Sequence, residues 1–307
     1  GPGSVIYGSD ALGGVMSFNT FRARLSTGSG VEPSGKVMAR FSGANLEKTV
    51  HGTINFGAKK WAAIVGSTFT GFGDLRMGSN GPDEYLRPEY VLKGGFQGTD
   101  IIQENDNPKI QKYTGYNQFN ILGKIRFRPD EKLEITAGAI HSQTSDIPRY
   151  DRLIVYKNNQ LRYGDWYYGP QKWSLFSAQV QYHSDLILFD KLNFLSGFQR
   201  YTESRFDRNL HNPIRNGREE DLSVFSVNLD LAKSINAQNE FFYGIESYLN
   251  TVNSTGTAKQ LLTGETEVIP SRYPGDSDYG SVAAYFSYKF NLANRLILQA
   301  GIRGTRT

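Results

Sequence analysis

The regular alternation of apolar and polar residues along most of the chain is the feature that most restricts its fold. From Lys36 onward, apolar residues recur at every second position, which is the period of a β-strand. The segment 117–128 places on one face Phe119, Ile121, Ile125 and Phe127. It places on the other face Gln118, Asn120, Lys124 and Arg126. The segments 220–233 and 279–290 show the same pattern, so the sequence predicts an all-β fold.

The pattern predicts eleven strands. They are 36–44, 48–57, 60–72, 117–128, 132–144, 172–184, 189–204, 220–233, 239–252, 279–290 and 294–307. A strand with one apolar face and one polar face fits two architectures: the apolar face meets either a soluble core or lipid, and in the second case the polar face lines a lumen.

The lengths of the connections favour the second architecture. Short connections at 57–59, 129–131, 185–190, 234–238 and 291–293 alternate with longer ones. The longer ones are 73–116, 145–171, 205–219 and 253–278, and only 45–47 is short in that series. This alternation places the long loops at one end of the sheet, as in outer-membrane barrels. A soluble sandwich or propeller rarely carries a loop as long as 73–116, and the chain has no blade-length repeat.

The composition excludes several other classes. No apolar run approaches the roughly 20 residues that a membrane-spanning helix needs. The net charge of +4, from 34 basic and 30 acidic residues, does not suggest a nucleic-acid-binding protein. The chain has no cysteine, so thiolate chemistry and disulfides are excluded.

Aromatic residues cluster where strands meet connections. Examples are Trp61, Tyr113, Tyr116, Trp173 and the run 166–168. Rings at the interface between lipid and water would explain this placement. The alternative is a packing cluster at the ends of hairpins.

The first twenty residues contain a compact glycine-rich motif, Tyr7-Gly-Ser-Asp-Ala-Leu-Gly-Gly-Val15. Ser9 or Asp10 can cap a helical turn. Gly13 and Gly14 tolerate the positive φ of a chain reversal, and a strand is expected at 15–18. The stretch formed by residues 1–8 and 11–15 resembles the closing segment of the plug domain in TonB-dependent outer-membrane receptors. The residues of this motif that carry the resemblance are Tyr7, Gly8, Asp10, Leu12, Gly13 and Gly14. A vector-derived tail is the competing explanation for residues 1–4.

The resemblance implies an antiparallel transmembrane β-barrel preceded by the end of a plug domain. Residues 1–35 are then the end of the plug and a linker, and 36–307 are the N-terminal half of a barrel of about 22 strands. The chain starts inside a motif and stops inside a strand, so a fragment is expected. The implied location is the bacterial outer membrane, where the protein would contact the lipid bilayer and the TonB–ExbB–ExbD complex.

The segment Ser145–Leu153 is the strongest candidate for ligand binding. It contains Arg149, Tyr150, Asp151 and Arg152, whose charges could pair with one another or with an anion. It is similar to a segment in the Bacteroidetes-type haem and haemoglobin receptors of this family, although these residues could equally brace the loops. His211, within 205–219, is the histidine best placed to meet a ligand, but a solvated side chain is the simpler interpretation.

The sequence supports transport more than catalysis. It has no nucleophile elbow, no phosphate-binding glycine loop and no histidine pair at metal spacing. We therefore expect no enzyme, no catalytic residue, no bound metal and no cofactor of the protein's own, with haem as a possible cargo. A ferric siderophore, cobalamin or an oligosaccharide is the alternative cargo, and a passive porin or an adhesin is the alternative class. Lumen-facing Lys124, Arg126 and Lys289 would suit an anionic cargo. A surface lipoprotein or a haemophore is a possible further partner.

Overall fold

A computed structural model describes residues 5, 8, 14–16, 18–94, 96–293 and 296–307. Within these residues, eleven long strands form one antiparallel sheet in which each strand pairs with its neighbours in the chain. They are β1 (Glu32–Ser42), β2 (Glu47–Gly57), β3 (Trp61–Phe72), β4 (Tyr116–Phe127), β5 (Leu133–Thr144), β6 (Lys172–His183), β7 (Lys191–Asn209), β8 (Ile214–Ser234), β9 (Asn239–Gln260), β10 (Ser277–Ala293) and β11 (Leu296–Arg306). The predicted all-β class, the number of strands and their order are confirmed.

The pairing register aligns the apolar residues of neighbouring strands on one face of the sheet. Ile125 of β4 pairs with Ala63 and Ala137, and Phe127 pairs with Trp61. This outer face stays exposed, since Ile125 is 61% accessible. The opposite, inner face carries the polar residues Lys124 and Arg126 and is the face on which residues 22–26 pack. The two-faced pattern predicted from the alternation is therefore present.

The two ends of the sheet differ as the sequence predicts. The turn end has the short connections 58–60, 128–132, 184–190 and 235–238. The loop end has the long connections 73–115, 145–171 and 261–276. These contain small elements of their own: the short helix α1 (Tyr150–Leu153), a 3₁₀ turn (Asp83–Tyr85) and short strand pairs. No helix in the described ranges is long and apolar enough to cross a membrane.

The prediction of a long loop at 205–219 is wrong. Strands β7 and β8 continue through it and are joined only by residues 210–213. The strands β7, β8 and β9 have 19, 21 and 22 residues, about twice the 9–11 that cross a bilayer. Polar residues occupy both faces of this extension, so the sequence shows no apolar alternation there. The extended parts of β7 and β8 are held instead by backbone pairing between the two strands and by contacts such as the stacked rings of Tyr167 and Phe206.

The two strands at the sheet edges are exposed on both faces. β1 and β11 each pair with one neighbour among the described residues, and Val37 and Ile302 are among their most exposed apolar side chains. β1 begins at Glu32, four residues before the predicted barrel boundary at 36. The division between a plug end at 1–35 and a barrel at 36–307 stays a prediction.

The aromatic residues do not all follow one of the two predictions, a lipid–water interface or packing at the ends of hairpins. Trp61 is exposed on the outer face beside a short turn, as expected for a ring at a lipid–water interface. Trp166 is 8% exposed and packs with Leu153 and Tyr163. The indole of Trp173 donates a hydrogen bond to Gln199 on the inner face. For Trp166 the packing interpretation is correct, and Trp173 lies on the inner face, away from the apolar outer surface.

Candidate ligand-binding site

At the turn end, residues 22–26 cross the inner face of β2–β5 and are fixed there. The amide of Arg24 donates to Asn55 Oδ1 (2.9 Å), and Asn55 Nδ2 donates back to the Arg24 carbonyl (3.0 Å). The Ser26 amide donates to the carbonyl of Ala58. Ala23 is buried against Ala62. The chain therefore enters the sheet's concavity at the turn end.

Arg126 helps to hold residues 22–26 on the sheet. Its guanidinium donates two hydrogen bonds to Glu134, at 2.9 and 2.8 Å, and a third to the carbonyl of Ala23 at 3.2 Å. Glu134 also accepts a hydrogen bond from Arg22. Lys289 lies 3.4 Å from Glu240. Arg126 and Lys289 are therefore neutralised within the protein. Lys124, the third predicted lumenal cation, lies on the inner face and has no such ion pair with any residue that the structure describes.

Val5 and Gly8, at the start of the chain, lie against β11. Gly301 provides the space, because a Cβ there would come within 2.9 Å of Val5. Gly8, at φ +90°, faces the guanidinium of Arg303. Gly14 has φ +130°, the positive value predicted for this reversal. Tyr7, Asp10, Leu12 and Gly13 lie outside the described residues. The strand expected at 15–18 is not formed by those of its residues that are described.

At the loop end, Arg149 lies at the centre of an aromatic and cationic cluster. It donates to both carboxylate oxygens of Asp151 (2.8 and 2.5 Å) and to the Tyr168 hydroxyl (2.7 Å). Its guanidinium carbon lies 5.1 Å from the ring centre of Trp166 and 5.4 Å from that of Tyr168. The hydrogen bonds to Asp151 and, secondly, to Tyr168 raise the pKa of Arg149, and the hydrogen bond from Arg149 lowers the pKa of Asp151. The predicted residues Arg149 and Asp151 therefore pair with each other.

Two further arginines surround the same rings. Arg205 approaches the ring centres of Tyr168 and Trp166 at 5.3 and 5.8 Å, and Arg152 approaches Trp166 at 5.9 Å. We call Arg149, Arg152, Arg205, Trp166 and Tyr168 the arginine–aromatic cluster. The buried Nε of Arg205 has no hydrogen-bond partner among the described residues. The Arg152 side chain is 47% exposed and lies 3.9 Å from Asp151, and Tyr150 is also exposed. The cluster therefore offers unused guanidinium donors, the groups that bind carboxylates and phosphates best.

His211 belongs to a different arrangement, which we call the clasp and which consists of Asp100, Arg208 and His211. Arg208 donates to both oxygens of Asp100 at 2.9 and 2.7 Å, and both side chains are only 3% exposed. The His211 amide donates to Asp100 Oδ2 (2.6 Å), while the Asp100 amide donates to His211 Nδ1 (3.1 Å). The clasp therefore holds loop 73–115 on the β7–β8 hairpin.

The clasp also extends to the strand Tyr163–Tyr168. Arg208 Nε donates to Asp165 Oδ2 at 2.8 Å. Burial alone would raise the pKa of Asp100, but the hydrogen bonds from Arg208 and the His211 amide hold it below its usual value. His211 Nδ1 already accepts a hydrogen bond from loop 73–115 and is not free for a ligand. A ligand-binding role for His211 stays a prediction.

Sequence reasoning missed Arg205, Trp166, Asp100 and Arg208 as parts of these arrangements. Asp100 and Arg208 are separated by 108 positions, and Arg149 and Tyr168 by 19. No local spacing brings them together, since the strand Tyr163–Tyr168 pairs with β7 only in the folded chain. The described ranges contain no group of three His, Asp or Glu side chains placed to hold a metal ion.

Together, the sheet and its two-faced pattern define the wall of an antiparallel β-barrel. The chain is similar to the structure of the copper transporter OprC, with a TM-score of 0.67 and 10% identity over 92% of this chain. It is also similar to the ferric yersiniabactin uptake receptor FyuA from Yersinia pestis, with a TM-score of 0.51 and 9% identity over 88% of this chain. It spans 38% and 40% of those two chains, about two fifths of their length. No family model and no curated protein matches the sequence.

Proposed function

We propose that this chain is part of a TonB-dependent outer-membrane receptor that imports a scarce ligand into the periplasm. The observation that carries the proposal is the segment 22–26, which is fixed across the polar inner face of a barrel wall whose outer face is apolar. The motif in residues 7–15 and the likeness to two uptake proteins support the same assignment. A polar interior that receives the preceding chain is what a plugged barrel requires.

In this proposal each end of the wall has its own task. The loop end faces outward and captures the ligand, and the turn end faces the periplasm. The TonB–ExbB–ExbD complex pulls on the plug, and the clamp formed by Arg24, Asn55, Arg126 and Glu134 keeps the plug's last residues attached to the wall while the rest moves. The protein is then a transporter and not an enzyme.

We propose further that the cargo is anionic, with haem as the narrower candidate. The support is the arginine–aromatic cluster, in which Arg152 and Arg205 keep guanidinium donors beside the rings of Trp166 and Tyr168. Haem propionates are carboxylates, which guanidinium groups bind well. The exposed ring of Tyr150, next to Arg149 in the chain, can stack on a planar macrocycle. A ferric siderophore, cobalamin and an oligosaccharide are the other cargoes to test, and a haemophore or surface lipoprotein would be an accessory partner.

A passive porin or an adhesin is the competing class. Neither requires the preceding chain to be fixed inside the barrel, whereas four of the five hydrogen bonds that hold residues 22–26 on the sheet involve the strand residues Asn55, Arg126 and Glu134. The attachment therefore favours the plugged importer.

The test is uptake by cells that carry the intact protein. Haem-dependent growth of a deletion strain should fall, and the plasmid-borne gene should restore it only when the TonB complex is active. Arg205→Ala should reduce uptake, while Arg200→Ala, an exposed arginine paired with Asp221 away from the cluster, should not. Undiminished growth on haem would refute haem as cargo. A protein that fractionates with soluble proteins, or whose uptake survives loss of TonB, would refute the importer itself.

A further inference from the structure

A pocket of about 180 Å³ opens on the inner face near the loop end, between β4, β5, β6 and β7. Its aromatic walls are Tyr116, Trp173 and Tyr201, and its polar walls include Gln118, Ser142 and Gln171. It lies below the arginine–aromatic cluster, because Ile147, which also lines it, pairs with Tyr168. A ligand that entered through the loop end would pass it.

The pocket walls are held in place by their own contacts. The Trp173 indole donates to Gln199 at 3.1 Å, and the ring of Tyr116 stacks on Phe72 with centres 4.5 Å apart. The Tyr201 hydroxyl donates to Glu203 at 3.0 Å. The aromatic rings therefore need little reorganisation to receive a ligand, which keeps the entropy cost of binding low.

The polar groups of the pocket are hydroxyls and amides. Gln118 Nε2 and Ser142 Oγ both donate to Asn120 Oδ1, which leaves the side-chain carbonyl of Gln118 and the lone pairs of the Ser142 hydroxyl without a partner among the described residues. The side-chain amide of Gln171 has no hydrogen-bond partner within the described residues and can both donate and accept. Of the nine residues that line the pocket, Lys172 alone carries a charge.

This chemistry differs from that of the arginine–aromatic cluster. A carboxylate ligand would meet one ammonium group here and no guanidinium, whereas a hydroxyl can exchange donor and acceptor roles with amides and hydroxyls. A sugar ring presents hydroxyls at its rim and C–H groups on its face, which match the polar rim and the indole and phenol rings. The volume is below the roughly 300–1,000 Å³ of pockets for drug-sized ligands, so it suits a single ring.

We propose that this pocket is a binding subsite for one uncharged, hydroxyl-rich ring, that is, a neutral sugar unit of a larger ligand. The subsite goes beyond import of an anionic cargo, since it selects for neutral hydroxyls and acts independently of the cluster above it. Trp173 provides the stacking surface, and Gln118 and Gln171 bind the ring hydroxyls.

The test measures binding of neutral trisaccharides to the intact protein in a detergent without a sugar headgroup. The five neutral probes are maltotriose, cellotriose, xylotriose, mannotriose and fully N-acetylated chitotriose, and a uronic-acid trisaccharide is the charged comparison; each is titrated by calorimetry. At least one should bind, and Trp173→Ala should weaken it by roughly tenfold or more, since a tryptophan at the centre of a site carries much of the affinity. Trp173→Phe should recover part of the loss, and Gln118→Ala should weaken binding independently. Arg200→Ala is the matched control and should bind as the unmodified protein does.

The outcomes separate this subsite from the proposed import. Binding of none of the five probes, or equal binding by Trp173→Ala and the unmodified protein, would overturn the subsite. Binding confined to uronic-acid oligosaccharides would also overturn it, because the pocket would then select charge. Each variant must retain the heat-dependent gel mobility of a folded barrel, and Gln118→Ala keeps the test decisive if Trp173→Ala does not fold. TonB-dependent haem uptake that persists without trisaccharide binding would leave the importer intact and refute only the subsite.

Discussion

The clasp between loop 73–115 and the β7–β8 hairpin makes a quantitative prediction for Arg208→Ala. The substitution leaves Asp100 buried, 3% exposed, without the two hydrogen bonds that neutralise it. Removing one partner of a buried ion pair costs about 3–5 kcal/mol. The variant avoids a buried, unpaired Asp100 carboxylate if loop 73–115 separates from the β7–β8 hairpin and exposes Asp100 to water.

The cost should appear as local opening, because the clasp joins a loop to the wall. At 1.36 kcal/mol per factor of ten, about 3–5 kcal/mol corresponds to a population of the opened loop that is roughly 10²- to 10⁴-fold larger. Two amides report it directly: that of Asp100, bonded to His211 Nδ1, and that of His211, bonded to Asp100 Oδ2.

Hydrogen exchange of the intact protein, resolved to peptides covering 96–104 and 208–214, is the assay. Both peptides should exchange faster in Arg208→Ala by that factor, whereas peptides from β4 should not change. Arg200→Ala removes an arginine whose side chain is 63% exposed and should leave exchange unaltered. The double variant Asp100→Leu with Arg208→Leu should recover part of the protection, since both charges are removed together. Unchanged exchange in Arg208→Ala would refute the assignment of the clasp.

Three further predictions concern the clasp, the attachment of residues 22–26 and the outer face of the sheet. Because the pKa of Asp100 is lowered, its contribution is present above its unfolded pKa and is lost as the pH falls through the folded one. Exchange at 96–104, corrected for the intrinsic rate, should therefore rise as the pH falls below about 4, with Asp100→Asn abolishing this transition. A Cβ at Gly57 would lie 2.4 Å from the Arg24 carbonyl, so Gly57→Ala should loosen residues 22–26 and speed tryptic cleavage there. Gly52→Ala, in the same strand with no atom within 4 Å, is its control, and equal cleavage of both would contradict the clamp. Ile125→Arg on the outer face should destabilise the barrel in lipid, by about 2–4 kcal/mol in urea unfolding if the residue lies near the bilayer midplane. Gln181→Arg on the inner face, beside Glu134, should not. Equal effects of the two substitutions would exclude a lipid-facing outer surface.

The strands in which apolar and polar residues alternate were predictable because that information is local. In β4 and β10 each side chain's face follows from its position in the strand, and the pairing register then aligns like faces. The extra length of the three strands β7, β8 and β9 was not predictable in this way. Its polar residues lie on both faces, and its hydrogen-bond ladder depends on neighbouring strands and not on an apolar pattern.

The candidate site was likewise predictable only in part. The sequence identified Arg149, Asp151 and Arg152 as a charged segment, but not the rings of Trp166 and Tyr168 on which they lie. It singled out His211 as an exposed candidate, whereas the structure joins His211 to Asp100. Both contacts depend on where long loops fold back, and the chain has no periodicity in those loops.

The sequence by itself determined an all-β chain of eleven two-faced strands and the end at which its long loops lie, because side-chain alternation and connection lengths are local properties. Only the tertiary structure decided which charges are neutralised and which remain available. Arg126 is used by residues 22–26 and Arg208 by Asp100, while Arg152 and Arg205 keep donors beside aromatic rings. The reason is physical: the free energy of a charge depends on the partners and the solvent around it, and these come from segments up to 112 positions apart.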